Sequence, residues 1–153
     1  MNMKFPFEVY RQTRKNILFF LDDLNEDKIN CIPDGFKNNI VWNLGHILVT
    51  QQLLFYGNSG NELKIPGEWV DKYRKGTKPE GRVSMEEFDK MKAMLVSTID
   101  ESERDYVSGL FSSYNAYATS YGVQINSIED LIRFIYAHDG FHWGIIVAMK
   151  KLV

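Results

Sequence analysis

The chain has three histidines, and their types and spacing are those of a metal site. His138 and His142 stand four residues apart in YAHDGFHWGII, and His46 lies far upstream in VWNLGHILV. If both runs are helical, the i, i+4 pair shares one face with Cβ atoms about 5–6 Å apart, so both imidazoles can reach one ion. Two ligands from one helix and a third from another leave a fourth position open, as catalytic rather than structural divalent-metal sites do. His138 and His142 also fall on an apolar stripe, where a ring nitrogen without a partner is costly. A shared ion would satisfy them; so would ordinary hydrogen bonds inside a core.

Other residues capable of chemistry are sparse. HDGFH is similar to the H-E-x-x-H of metallopeptidases, with Asp139 in the glutamate's place. Asp is one methylene shorter, however, and WGIIVAMKKLV, which follows His142, holds no further histidine or carboxylate. Asp139 is then expected to bond a neighbouring ring or to face solvent. Cys31, the one cysteine, precedes Pro33 with no histidine near it in sequence, which reads as an incidental thiol. Trp42 and Trp143 could wall a pocket beside the ion, although aromatics on helices are more often core.

Four helical segments have to position these residues. The first is expected from about Pro6 to Leu24, with Phe7, Tyr10, Ile17, Leu21 and Leu24 on one apolar face and Arg11, Arg14 and Lys15 toward solvent. A turn follows in NEDKINCIPDGFKN, punctuated by Pro33, Asp34 and Gly35. The second segment starts near Asn38 or Asn39, either of which can cap it, and stops at Gly57. Its two apolar stripes, one of which holds Trp42, His46, Val49 and Leu53, predict a largely buried helix.

Residues 57–82 form a connection long enough to be unusual, with a short turn of helix near GEWVDKY. Lys72, Arg74, Lys75 and Lys78 cluster in it; a solvated loop is the plain reading and an anion site the sharper one. The third segment opens with the capping box Ser84–Glu87 and runs to about Asp105. The stretch SGLFSSYNAYATSYGVQIN is aromatic but poorly periodic, compatible with a short strand pair or with a loop carrying Tyr114, Tyr117 and Tyr121. The last segment is capped by Ser127, with Asp130 three residues on, and runs toward the end of the chain with both histidines on its apolar stripe. The pattern predicts an all-α fold, an antiparallel four-helix bundle with a long crossover between helices 2 and 3.

Bulk properties narrow the function classes. At 153 residues the chain is expected to be a single domain, 1–153, with a sufficient core of its own. Hydrophobic residues make up 44% and charged ones 25%, which excludes disordered and collagen-like classes. A formal charge of −2 gives no global drive toward nucleic acid. One cysteine, no secretory leader and no bilayer-spanning apolar run point to a cytoplasmic protein that engages no membrane.

With both motifs in hand, W-N-L-G-H from Trp42 to His46 and H-D-x-x-H-x-G from His138 to Gly144, the chain resembles the DinB-like superfamily. The likeness extends to the order and spacing of the four helices and covers essentially the whole chain. The resemblance implies that His46, His138 and His142 form a three-histidine site for zinc or nickel near one end of the bundle. It also implies a homodimer, and enzymes that use low-molecular-weight thiols as transferases or isomerases. The leading expectation is therefore a metal-dependent transferase joining such a thiol to an electrophilic small molecule. A metal-dependent hydrolase is the enzymatic alternative. The non-enzymatic one is a stress-induced metal-binding bundle protein, in which a fourth protein ligand would close the site.

Overall fold

The computed structural model describes residues 2–153. Six α-helices follow in order among them: α1 (Lys4–Leu21), α2 (Glu26–Asn30), α3 (Ile40–Phe55), α4 (Gly67–Tyr73), α5 (Met85–Val107) and α6 (Ile128–Lys150). A single antiparallel pair, β1 (Tyr117–Ala118) and β2 (Gln124–Ile125), precedes α6. The protein is thus mostly helical, and the aromatic stretch before α6 takes the strand-pair form.

Side-chain caps set the starts of α3, α5 and α6. Asn39 accepts from the Trp42 amide at 2.9 Å, Ser84 from Glu87 at 3.2 Å and Ser127 from Asp130 at 3.1 Å. Each supplies an acceptor to one of the amides that a helix start leaves unpaired. The turn after α1 contains one element that periodicity did not reveal. Asn25 caps the five-residue α2 by accepting from the Lys28 amide, and a helix that short has no repeating stripe to read.

α1 and α3 each pack against both α5 and α6, and α4 lies on α3. Two apolar clusters result. One gathers Ile17, Leu21, Leu44, Leu48, Leu95 and Ile146; the other gathers Phe7, Tyr10, Phe55, Ile99, Leu131 and Ile135. α1 and α6 lead from the second cluster to the first, whereas α3 and α5 lead from the first to the second. α3 is buried along nearly its whole length, as two apolar stripes require.

Between the clusters each long helix contributes a polar residue: Arg14, Gln51, Thr98 and Asp139, all buried. Arg14 corrects the expectation of a solvent-facing residue. Position 14 is four residues from Tyr10 and three from Ile17, so the spacing sets it on the apolar stripe whatever its charge. Its exposure is 0%. It donates to Asp139 Oδ2 at 2.8 Å, Gln51 Oε1 at 2.7 Å, Tyr10 Oη at 2.7 Å, the Leu95 carbonyl at 2.9 Å and Thr98 Oγ1 at 3.1 Å. One guanidinium thereby holds all four long helices.

Candidate metal centre

α3 supplies His46 and α6 supplies His138 and His142, and the fold brings the three together. One nitrogen from each lies within 4.8 Å of the others. His46 and His142 are buried, at 7% and 8% exposure, and His138 is partly exposed.

The other ring nitrogens are already engaged. His46 Nδ1 stands 2.7 Å from the Tyr73 carbonyl oxygen. A carbonyl only accepts, so Nδ1 carries the proton and Nε2 is left with a lone pair. His142 Nδ1 lies 2.8 Å from Asn43 Oδ1. The Asn43 amide is oriented by its own donors, since Nδ2 donates to the Asn39 carbonyl and to Asn38 Oδ1; Oδ1 therefore accepts, and His142 takes the same tautomer. His138 Nδ1 is 3.3 Å from the Asp139 carboxylate. All three rings thus present Nε2. His138 Nε2 and His46 Nε2 lie 3.4 Å apart, two acceptors facing each other with no proton of their own between them. A divalent cation fits that donor set: neutral imidazoles, each fixed by an oxygen acceptor on its far nitrogen, are what such ions select.

Electrostatics agree with neutral rings at His46 and His142. Burial, with the neighbouring His138, lowers His46 to about 4 and His142 to about 3, although the Tyr73 carbonyl pulls His46 the other way. Burial alone would raise the Asp139 carboxyl, but Arg14 and the His138 contact outweigh it and hold Asp139 below the ordinary carboxylate value. Asp139 therefore stays ionised behind His138.

The W-N-L-G-H run can now be read residue by residue. Trp42 stacks on His46, with centroids 4.8 Å apart and planes 8° from parallel. Asn43 holds His142, and Leu44 is core. At Gly45 a Cβ would come within 2.5 Å of the Tyr73 ring, so only glycine lets α4 approach closely enough to place the Tyr73 carbonyl on His46.

A cavity of about 320 Å³ opens over the cluster, lined by all three histidines and by Thr50, Phe134 and Tyr121, among others. A second, of about 490 Å³, lies on the other side of residues 74–76 and contains none of the histidines; Trp42, Tyr73, Arg74 and Lys78 line it.

Several other expectations resolve here. Trp42 flanks His46 from the second cavity, whereas Trp143 packs on Phe20 and borders neither. Asp139 is fully buried against Arg14 and His138 and lines no cavity, so a peptidase-like general base is ruled out by position. Cys31 is exposed in a cleft with Asp27 and Arg82, away from the histidines. Sequence reasoning missed Asn43, Thr50 and Tyr73. Asn43 carried a signal, an amide on a helix otherwise apolar at that level; the Tyr73 contact is made by a backbone carbonyl and leaves none. The basic cluster divides, with Lys75 lining the histidine cavity and Lys72, Arg74 and Lys78 lining the other.

No helix among the described residues is long and apolar enough to cross a membrane. No curated protein matches the chain. A model of the DinB superfamily matches residues 10–146, and that match, over a helical chain with a clustered histidine triad, establishes that the protein belongs to the DinB superfamily.

Proposed function

We propose that His46, His138 and His142 bind one divalent cation, zinc or nickel, through Nε2. We further propose that the chain is a transferase joining a low-molecular-weight thiol to an electrophilic small molecule. The observation that carries the reading is the convergence of three Nε2 lone pairs, that of His46 with only the Thr50 hydroxyl 3.4 Å away, at the base of an open cavity. When bound, such a cation lowers the pKa of a thiol or water placed on it. Among the described residues no fourth histidine, cysteine or carboxylate joins the cluster, which supports an open position over a closed structural site. The chain's own thiol, Cys31, lies elsewhere, so the reacting sulfur comes from a cosubstrate. Phe134, Tyr121 and Phe141 border the cavity and limit water around the reacting groups. The sulfur's proton leaves to solvent, a C–S bond forms, and the electrophile gives up its leaving group.

The long helices are proposed to form a single-domain antiparallel four-helix bundle with a crossover between the second and third, in keeping with the shared direction of α3 and α5. A homodimer in the cytoplasm completes the proposal, without nucleic-acid or membrane partners. Since α3 is covered within its own chain, a dimer face belongs elsewhere. Phe5 and Phe19, 72% and 79% exposed on α1, offer apolar surface. A monomeric mass by light scattering would reject the dimer.

The deciding experiment is metal analysis by inductively coupled plasma mass spectrometry on tag-free protein, wild type and His46→Ala. About one ion per chain, lost in the variant, is expected, followed by thiol-dependent turnover of an electrophile panel. No ion after reloading with zinc or nickel would return the histidines to a packing role.

A further inference from the structure

The walls of the metal cavity define what enters it. Tyr121 and Phe134 meet edge to face at 5.9 Å, and Phe141 stands perpendicular to His142 at 5.4 Å. Tyr121 and Phe141 are 75% and 66% exposed, large aromatic surfaces left at a rim where nothing in the chain covers them. The β1–β2 turn that carries Tyr121 is held by Thr119, which accepts from the Val123 amide and donates to its carbonyl, with Gly122 at φ +87°. The rim is therefore a built element.

Charge on these walls is one-sided. No Asp or Glu lines the cavity, and Lys75 is its one Lys or Arg. Lysines elsewhere in the chain are paired, Lys72 with Glu87 and Lys64 with Glu101 and Asp105. Lys75 has no carboxylate partner among the described residues. Its neighbours Arg74 and Gly76 line the second cavity, so Lys75 alone turns toward the histidines. The segment is anchored there, because Trp42 Nε1 donates to Thr77 Oγ1 at 3.0 Å and Thr77 Oγ1 donates to the Arg74 carbonyl at 2.8 Å.

We infer that the cavity selects a small anion with an apolar, flat body, a carboxylate-bearing molecule whose carboxylate pairs with Lys75 while its body lies among Tyr121, Phe134 and Phe141. The inference rests on the proposed metal site, because a divalent charge beneath apolar walls and a lysine at the mouth both favour negative charge. The size agrees: about 320 Å³ holds roughly ten water-sized groups.

The test uses cobalt-loaded protein and two probes of that size, 4-mercaptobenzoate and its methyl ester, with binding followed by the thiolate–cobalt absorption band and by calorimetry. Wild type, Lys75→Gln and Lys78→Gln are compared; Lys78 lines the other cavity and is a charge control. The acid is expected to bind wild type and Lys78→Gln about three- to tenfold more tightly than Lys75→Gln does, the range of one charge-assisted contact. The ester should bind all three alike. Cobalt uptake with equal acid binding in all three proteins, or with no thiol bound, would overturn the inference and leave the metal centre intact. Failure to take up cobalt would overturn both.

Discussion

Two buried polar clusters meet at Asp139, and they are built on opposite terms. On one side Arg14 spends its donors on Asp139, Gln51, Tyr10, Thr98 and the Leu95 carbonyl, and Gln51 Nε2 donates to the Thr98 carbonyl and Ser102 Oγ. On the other side three imidazoles have matched their Nδ1 atoms and leave Nε2 facing Nε2, with a single long contact from the Thr50 hydroxyl to His46. The first cluster is closed and has nothing left to bind. The second is half satisfied and opens on a cavity. Matching separates structure from function here better than burial does, since members of both clusters are buried.

The largest effect should come from breaking the closed cluster. Arg14→Met leaves the Asp139 carboxylate buried without its cation, and a loss of about 3–5 kcal/mol is expected in urea unfolding. Adding Asp139→Leu to Arg14→Met should recover part of that loss. A single-variant loss under about 1 kcal/mol would show the cluster to be less tightly coupled than drawn.

The open cluster should reveal itself through pH in metal-free protein. His46 and His142 sit at about 4 and about 3 when folded, below the ordinary 6.5. As pH falls below about 6.5 the unfolded chain takes up protons that the folded one refuses, so stability is present above that pH and lost below it. The slope is at most about 1.4 kcal/mol per pH unit for each histidine, continuing toward pH 4 and 3. A flat melting temperature between pH 6.5 and 5 would contradict neutral, buried rings.

Asp139 belongs to both clusters and sharpens the contrast. Asp139→Asn keeps an acceptor but removes the charge behind His138, and zinc affinity should fall about 10- to 100-fold in a chelator competition. An unchanged affinity would confine Asp139 to the Arg14 side. The smallest stability change should come from His142→Ala without metal. It should cost about 1 kcal/mol or less, since water from the cavity can replace the ring on Asn43. The same variant should lose stoichiometric metal. Retained metal would remove His142 from the ligand set.

Much of this was legible in the sequence, for physical reasons that differ by element. Ser84 and Ser127 announced two helix starts because a cap is a local bargain between one side chain and one amide. His138 and His142 announced a shared face because 3.6 residues per turn leaves them little choice. The meeting of His46 with that pair is a tertiary fact, and the family motifs rather than spacing carried it. Arg14 was misread because charge was given more weight than its i, i+4 and i, i+3 neighbours. Tyr73 was invisible because its contribution is a carbonyl; only Gly45, as the position that admits its ring, hinted at the contact.

The Arg14–Asp139 pair joins residues 125 positions apart. During synthesis Arg14 emerges early, while Asp139 and two of the three imidazoles arrive only with α6. Contacts so distant in sequence form late, so α1, α3 and α5 must wait as a loose assembly with an uncompensated cation at their centre. Docking of the last helix then neutralises that cation and completes the imidazole trio in one event. If the histidines hold an ion as proposed, its uptake is expected only once α6 has docked, and the appearance of the bound ion would then time the end of folding.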